Sequence, residues 1–262
     1  MCGIVGIVSN KSVSASIISA LKKLEYRGYD SAGISTISNG QINEQKCSGR
    51  VDNLEKILFQ NPSSGDLGIG HVRWATHGVP NQVNAHPHSS EVVSVVHNGI
   101  IENSDELRKE YKEKGYSFKS QTDTEVITIM LTDYLKKENL INCIHKTLEK
   151  LEGSFALGVI FKDFDNLVVG ARRGSPLAVG YGHNENFIGS DSYALKSMTN
   201  KISYLDDGDF CILYKEKVEF YNSDKKKINK EIFELSSEDN IADKGDYKDF
   251  MSKEIDEQSL TT

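Results

Sequence analysis

An α+β fold, with helices covering the faces of sheets, is what the order of signals along this chain predicts. Three observations lead to it. Apolar strand-like runs open the chain and recur near residue 92, and helical periodicities then fill residues 104–151. After Gly153 the chain changes to short strands separated by turns. With 262 residues, 38% hydrophobic and 26% charged, it has ordinary globular composition and enough apolar side chains for a large core.

Taken in order, Gly3–Val8 is largely apolar and reads as a short buried strand. Val13, Ile17, Ile18, Leu21 and Leu24 then fall on one helical face. Val92, Val93, Val95 and Val96 form a strand broken only by Ser94. Residues 104–114 are polar and read as an exposed helix ended by Gly115. Val126, Ile127, Met130, Leu131 and Tyr134 mark another helical face, and Thr122 with Glu125 makes a capping-box pattern before it. Leu140, Ile141, Ile144, Leu148 and Leu151 repeat the signal until Gly153 stops it. Short strands are expected at 155–161, 167–171, 177–181, 187–190, 202–205, 210–214 and 218–221. Lys225, Lys226 and Lys227 read as a solvated turn. From about 241 the chain turns polar, with a helix-like piece at 250–258; one domain over 1–240 and a linker over 241–262 are expected.

Bulk properties exclude several functions. A net charge of −7 argues against a nucleic-acid binder, which would carry a basic face. No apolar run reaches the roughly 18–20 residues of a membrane span, and the start lacks the basic n-region of a signal peptide. Cys47, Cys143 and Cys211 are far apart, which speaks against zinc ribbons and disulfide frameworks and suits a reducing cytoplasm. His71, His77, His86, His88 and His97 crowd into a short span, yet no H-E-x-x-H occurs, so a metal hydrolase is the weaker rival. Residues 170–175 lack phosphate-loop spacing.

Four features can carry chemistry. Cys2 becomes an amino-terminal residue once Met1 is removed, and then holds a thiol beside its own α-amine. A thiol of pKa near 8.5 is mostly protonated at neutral pH, whereas an α-amine of pKa about 7.7–8.0 is partly free base and can take its proton. His71-Val72-Arg73-Trp74-Ala75-Thr76-His77-Gly78 gathers the only tryptophan, an arginine suited to a carboxylate, and two histidines; a solvated strand end is the plainer reading. His97-Asn98-Gly99 closes the valine-rich strand. Asn-Gly is first a tight-turn signal, but the same geometry offers an oxyanion two donors, the Asn98 amide and the next backbone N–H. Asp123 reads as a helix cap, or as a partner for a ligand's ammonium.

Together these runs resemble the glutaminase domain of the glutamine–fructose-6-phosphate aminotransferase (glucosamine-6-phosphate synthase) family. The resemblance adds Leu24-Glu25-Tyr26-Arg27-Gly28-Tyr29-Asp30-Ser31-Ala32-Gly33, Asn84-Ala85-His86-Pro87-His88, Thr122-Asp123-Thr124-Glu125, Gly174-Ser175-Pro176-Leu177 and Ser190-Asp191. It implies an N-terminal-nucleophile (Ntn) hydrolase fold of four layers, αββα. It also implies roles: Cys2 as nucleophile, Asn98 and Gly99 as oxyanion donors, Arg73 and Asp123 as partners of the glutamine α-carboxylate and α-ammonium. Arg27 and Gly28 would orient the amino-terminal residue, Trp74, Thr76 and His77 would sit in a closing loop, and His86 in another active-site stretch. L-Glutamine is the implied substrate, with no cofactor and no metal. Sugar-isomerase domains with a fructose 6-phosphate site, in a homo-oligomeric full enzyme, are the implied partners. A glutamine-binding regulatory module without catalysis is the rival from another class; it would need Arg73 and Asp123 but not Cys2, Asn98 or Gly99.

Overall fold

The computed structural model describes residues 2–235 together with Ser252, Ile255 and Asp256. Met1 and, apart from those three residues, the expected linker with its helix-like piece lie outside the described residues. In chain order the elements are β1 (Gly3–Val8), α1 (Ser14–Lys23), β2 (Ser31–Ser38), β3 (Gln41–Ser48), α2 (Val51–Gln60), β4 (Leu67–Arg73), β5 (His88–Ser89) and β6 (Val93–Ile101). Then come α3 (Ser104–Glu113), α4 (Thr124–Tyr134), α5 (Leu140–Lys150), β7 (Gly153–Phe161), β8 (Phe164–Arg173), β9 (Ala178–Tyr181), β10 (Asn186–Gly189) and α6 (Ser192–Leu195). The last are β11 (Lys201–Tyr204), β12 (Phe210–Leu213), β13 (Val218–Tyr221), β14 (Lys227–Ile228) and β15 (Phe233–Glu234).

The strands form two antiparallel sheets, ordered β15-β11-β9-β10-β1-β4-β2-β3 and β14-β13-β12-β8-β7-β6-β5. The period-two alternation of strands sorts their side chains into three cores. Between the sheets, Ile4, Val8, Leu67 and Ile69 meet Val96, Ala156, Ile160 and Val168. Outside the first sheet, Val5, Ile7 and Val72 pack on Ile17 and Leu21 of α1, Leu54 of α2 and Leu195 of α6. Outside the second, Val93 and Val95 pack on Leu107 of α3, Val126 and Met130 of α4, and Ile144 of α5. Full burial of each Val, Leu, Ile or Met side chain among them stabilises by about 1.5–3 kcal/mol. The layers run helix, sheet, sheet, helix, the αββα order that the resemblance implies.

Residues 31–73 hold strands and a helix for which the sequence raises no clear signal. β2 reads Ser-Ala-Gly-Ile-Ser-Thr-Ile-Ser, and its Ser35 and Thr36 are fully buried, so polarity conceals a core strand. In β4, Gly68 and Gly70 stand where α1 presses closest: a Cβ on Gly70 would lie 2.4 Å from Ile17 Cγ2. β3 is polar and half exposed at the sheet edge.

Two local expectations are overturned. The Asn-Gly pair makes no turn, because β6 runs on to Ile101 with Asn98 opposite Ala156 and Gly99 opposite Phe155. Gly99 has φ +122°, and a Cβ there would stand 1.9 Å from Ser154 O, so the position requires glycine. Nor do Thr122 and Glu125 form a capping box. The Glu125 carboxylate instead accepts from the backbone N–H groups of Lys119 (2.8 Å) and Ser120 (2.7 Å), and pins the preceding turn.

Candidate active site

Strand parity assembles the site. In β4, Leu67 and Ile69 face the second sheet, and therefore so do His71 and Arg73. In β6, Val96 faces the first sheet, and Asn98 follows it on the same side. In β1, Ile4 faces the second sheet, and Cys2 stands two residues before it. The register pairs Gly3 with Val72 and Ile4 with His71, which brings Cys2 to the end where the chain leaves β4.

Cys2 Sγ accepts the Trp74 N–H at 3.2 Å and lies 3.4 Å from Trp74 O. Burial raises the thiol's pKa, against a lowering pull from the Trp74 hydrogen bond and the Arg73 charge. The thiol is protonated at neutral pH and needs a base before it can attack. The Cys2 carbonyl accepts from Arg27 Nε at 2.9 Å and from Asn98 Nδ2 at 3.0 Å. Arg27 is itself 3.5 Å from Asp191, whose carboxylate also takes the Tyr26 hydroxyl. Gly28 lies flat on the Arg73–Trp74 peptide: a Cβ would meet Arg73 C and O at 2.8 Å. Arg27 and Gly28 thus flank Cys2.

Asn98 is held on both edges of its amide. Nδ2 donates to Cys2 O and, at 2.7 Å, to Ser190 Oγ; Oδ1 lies 3.0 Å from His71 Nε2. Both amide hydrogens are therefore engaged within the protein.

Arg73 is 4% exposed. Its Nη2 donates to His77 O and, at 3.5 Å, to Gly78 O, while Nη1 is buried without a partner among the described residues. Its charge is within electrostatic reach of Cys2, Asp30 and Asp123. Asp123 sits at the N-cap of α4 but does not cap it. Its Oδ2 accepts the Ile101 N–H at 2.9 Å, and Oδ1 takes no hydrogen bond from the described residues. The site therefore offers one bare cationic donor and one bare anionic acceptor beside a thiol. Trp74 and Thr76 are exposed and His77 half-buried, on a loop tied down by the Arg73 bonds and by Ala75 N–H donating to Asp30. Trp74 meets Tyr29 edge-on at 6.0 Å.

His86 stands apart from this opening. It is 5% exposed; Nδ1 accepts the His97 N–H at 3.3 Å, and Nε2 lies 3.1 Å from Thr124 Oγ1. Its ring stacks on His71 at 4.2 Å and lies 4.9 Å from His88. Burial lowers the pKa of His71 to about 3 and those of His86, His88 and His97 below the usual histidine range, so all four are neutral at pH 7. Among the described residues no group of three or more His, Cys, Asp or Glu side chains is arranged to hold a metal.

Sequence reasoning left Ser190, Asp191 and Asp30 without individual roles. Ser190-Asp191 directly follows a strand end and Asp30 ends a Tyr-Arg-Gly-Tyr-Asp run, but their contacts with Asn98, Arg27 and Ala75 span 45 to 165 residues or so of chain.

A glutamine amidotransferase domain family matches residues 71–197. Glutamine–fructose-6-phosphate aminotransferases (isomerizing) of Mesorhizobium japonicum and Clostridium acetobutylicum are each 50% identical, over 98% of this chain and 43% of their own. The Zymomonas mobilis enzyme of that name is 45% identical over 99% of this chain and 43% of its own. The chain thus spans less than half the length of these relatives. Among solved structures, the B. subtilis glutamine phosphoribosylpyrophosphate amidotransferase, complexed with ADP and GMP, superposes with a TM-score of 0.71. It is 24% identical, over 85% of this chain and 49% of that one. A glutamine aminotransferase class-II domain protein from Silicibacter pomeroyi gives 0.61 at 13% identity, over 84% and 99%. These likenesses show the shared Ntn fold, and among the described residues no helix is long and apolar enough to cross a membrane. On sequence and fold together, the chain belongs to the glutamine amidotransferases, as the glutaminase domain of the glutamine–fructose-6-phosphate aminotransferase family.

Proposed function

We propose that this chain hydrolyses L-glutamine to glutamate and ammonia through a γ-glutamyl thioester on Cys2. The observation that carries the reading is Arg73, buried within electrostatic reach of both the Cys2 thiol and Asp123. Among the described residues its Nη1 has no partner and Asp123 Oδ1 takes no hydrogen bond. A zwitterionic amino acid supplies the carboxylate and ammonium that these two groups lack.

With Met1 removed, the Cys2 α-amine takes the thiol proton as Sγ attacks the side-chain amide carbon. Negative charge then collects on the former amide oxygen, where Asn98 Nδ2 and the Gly99 N–H stabilise it. Asn98 has to free one hydrogen for this, and the Cys2 carbonyl can release it because Arg27 Nε still bonds that oxygen. The protonated amine passes its proton to the leaving nitrogen, the C–N bond breaks, and ammonia departs. Water, deprotonated by the same amine, attacks the thioester carbon; the C–S bond breaks, the thiol recovers its proton, and glutamate leaves. The loop bearing Trp74, Thr76 and His77 closes over glutamine and keeps bulk water from the thioester until ammonia has gone. His86 acts from behind His71, as both its ring nitrogens are taken by protein groups.

In the longer polypeptide this domain, over 1–240 with a linker at 241–262, supplies ammonia to sugar-isomerase domains that convert fructose 6-phosphate to glucosamine 6-phosphate. The assembly is a cytoplasmic homo-oligomer without cofactor at this site. Alone, the chain makes glutamate and no amino sugar.

Intact mass before and after incubation with a diazo-ketone analogue of glutamine tests the reading. Loss of Met1 and one stoichiometric adduct on Cys2, with steady release of glutamate, is expected. A processed chain that binds glutamine but takes no adduct would instead be a regulatory module.

A further inference from the structure

The Asn98 amide has a donor edge and an acceptor edge, and it serves an oxyanion only when the donor edge faces Cys2. Ser190 cannot choose between the two orientations. Its hydroxyl accepts the Ile4 N–H at 2.7 Å and can either accept from an amide nitrogen or donate to an amide oxygen. The Cys2 carbonyl favours the donor edge, but that contact must be given up during the reaction. The remaining neighbour is His71. Its Nε2 lies 3.0 Å from Asn98 Oδ1 and 3.0 Å from His97 O. A carbonyl oxygen can only accept, so Nε2 carries the ring proton, and a flipped Asn98 would set N–H against N–H.

The ring cannot escape this arrangement. It is fully buried, stacked at 4.2 Å and 30° on His86, and its Nδ1 has no partner among the described residues that would reward the other tautomer. His86 is in turn pinned by the His97 backbone and Thr124.

We infer that His71 is a positioning residue: its Nε2–H, shared between His97 O and Asn98 Oδ1, holds the Asn98 amide with its N–H edge toward Cys2. It touches neither the thiol nor the substrate. The inference rests on the glutaminase reading and names the group that sets the geometry of its oxyanion site. Because the oxyanion forms only after glutamine is bound, losing this support lowers kcat and leaves KM, set by Arg73 and Asp123, nearly unchanged.

The test uses the 262-residue chain with Met1 removed, and measures glutamate release for the parent, H71F, H71Q, H71N, N98A and the H71F/N98A double variant. Phenylalanine keeps a flat ring against His86 without the donor. Glutamine carries an amide nitrogen at the reach of Nε2, whereas asparagine is too short. H71F is expected to lower kcat by about 10²-fold with KM within about threefold, and H71Q to regain at least about tenfold of that. In the N98A background H71F should cost less than about threefold more, since its effect passes through Asn98. If H71F does not fold, H71Q well above H71N carries the same conclusion. Equal losses in both backgrounds, a rise in KM at constant kcat, or H71Q no better than H71F or H71N would overturn the inference. A parent that releases no glutamate would overturn the glutaminase reading and this inference with it; an active parent indifferent to H71F removes this inference alone.

Discussion

Two regions of this protein make opposite claims to a ligand. One lies against the second sheet beyond α4 and α5: a cavity of about 1090 Å³ floored by Leu135, Leu140, Ile141, Phe161, Phe164 and Ile212. The other is the opening around Cys2, at the end of β1 and β4, with a thiol, an orphaned guanidinium nitrogen and a carboxylate oxygen without a partner. By size alone the first is the natural place for a ligand. By chemistry the second is, because there a buried charged donor without a partner among the described residues, Arg73 Nη1, stands beside a nucleophilic thiol and within reach of a carboxylate. The pairing of a nucleophile with complementary charges, rather than volume, identifies the reacting site. Buried atoms without partners among the described residues, such as Ser35 Oγ and Tyr111 Oη, occur away from it too.

That contrast breaks at once if Cys2 is dispensable. Cys2→Ala should lower glutamate release by on the order of 10⁴-fold or more, since the substitution removes the covalent path itself. Residual turnover above a tenth of the parent's would mean that the chemistry lies elsewhere. Next in size come the groups beside the thiol. Asn98→Ala should cost about 10²–10³ in kcat. Arg73→Ala should act chiefly on KM, raising it by about 10²-fold or more, as expected when one partner of a buried charge pair is truncated. If the two variants gave the same kcat and KM pattern, the division between oxyanion and carboxylate roles would fail.

How much of this was legible beforehand follows from how local each signal is. The helices α1, α4 and α5 show in the sequence because their apolar faces repeat within a dozen residues, β1 because it is apolar on both faces, and β6 because valines crowd its start. β2 and β4 are buried as deeply, yet small residues replace apolar ones where strands and helix α1 pack closely. In the site, Cys2 stands out by its place after Met1, Arg73 and Asn98 by the histidine-rich runs that hold them, and Asp123 as a helix-cap candidate. Their supports do not: Ser190 reaches Asn98 across a separation of 92 residues. His71 was visible only as one histidine among five, since which edge of Asn98 it meets is a property of the packed sheets.

The two regions should also respond differently to acid. His71, His86, His88 and His97 lie at the site end and are kept neutral by burial, with folded pKa values below their unfolded value near 6.5. Below that value the unfolded chain binds protons that the folded chain refuses, so stability falls as pH drops through 6.5 toward the folded values, by up to about 1.4 kcal/mol per pH unit per group. Glu219, on the rim of the remote cavity, is held down to about 2 by Lys217 and Lys227, so its contribution is present above its unfolded value near 4.5 and is lost only below it. Between pH 7 and 5 the histidines alone should act. Thermal unfolding should show Tm falling by at least several degrees over that interval. A flat profile would mean that the imidazoles charge within the folded protein.

The smallest expected effect is the most direct check on the contrast. Leu140→Trp places a bulky ring in the large cavity, at the first residue of α5, and leaves the opening at Cys2 untouched. Leu140 is only partly buried, so the larger side chain can fill space without displacing the packed core beneath it. kcat and KM for glutamine should stay within about twofold of the parent, with Tm moving by no more than a few degrees. Should kcat fall tenfold while Tm holds, the two regions would be coupled. The shortest connection runs through β6, whose Val93 and Val95 form the floor under α4 and α5 and whose Asn98 faces Cys2. β6 is paired with β7 at every residue from Val93 to Ile101, so a strain that did reach Val93 would be carried to Asn98 by a stiff, close-packed strand.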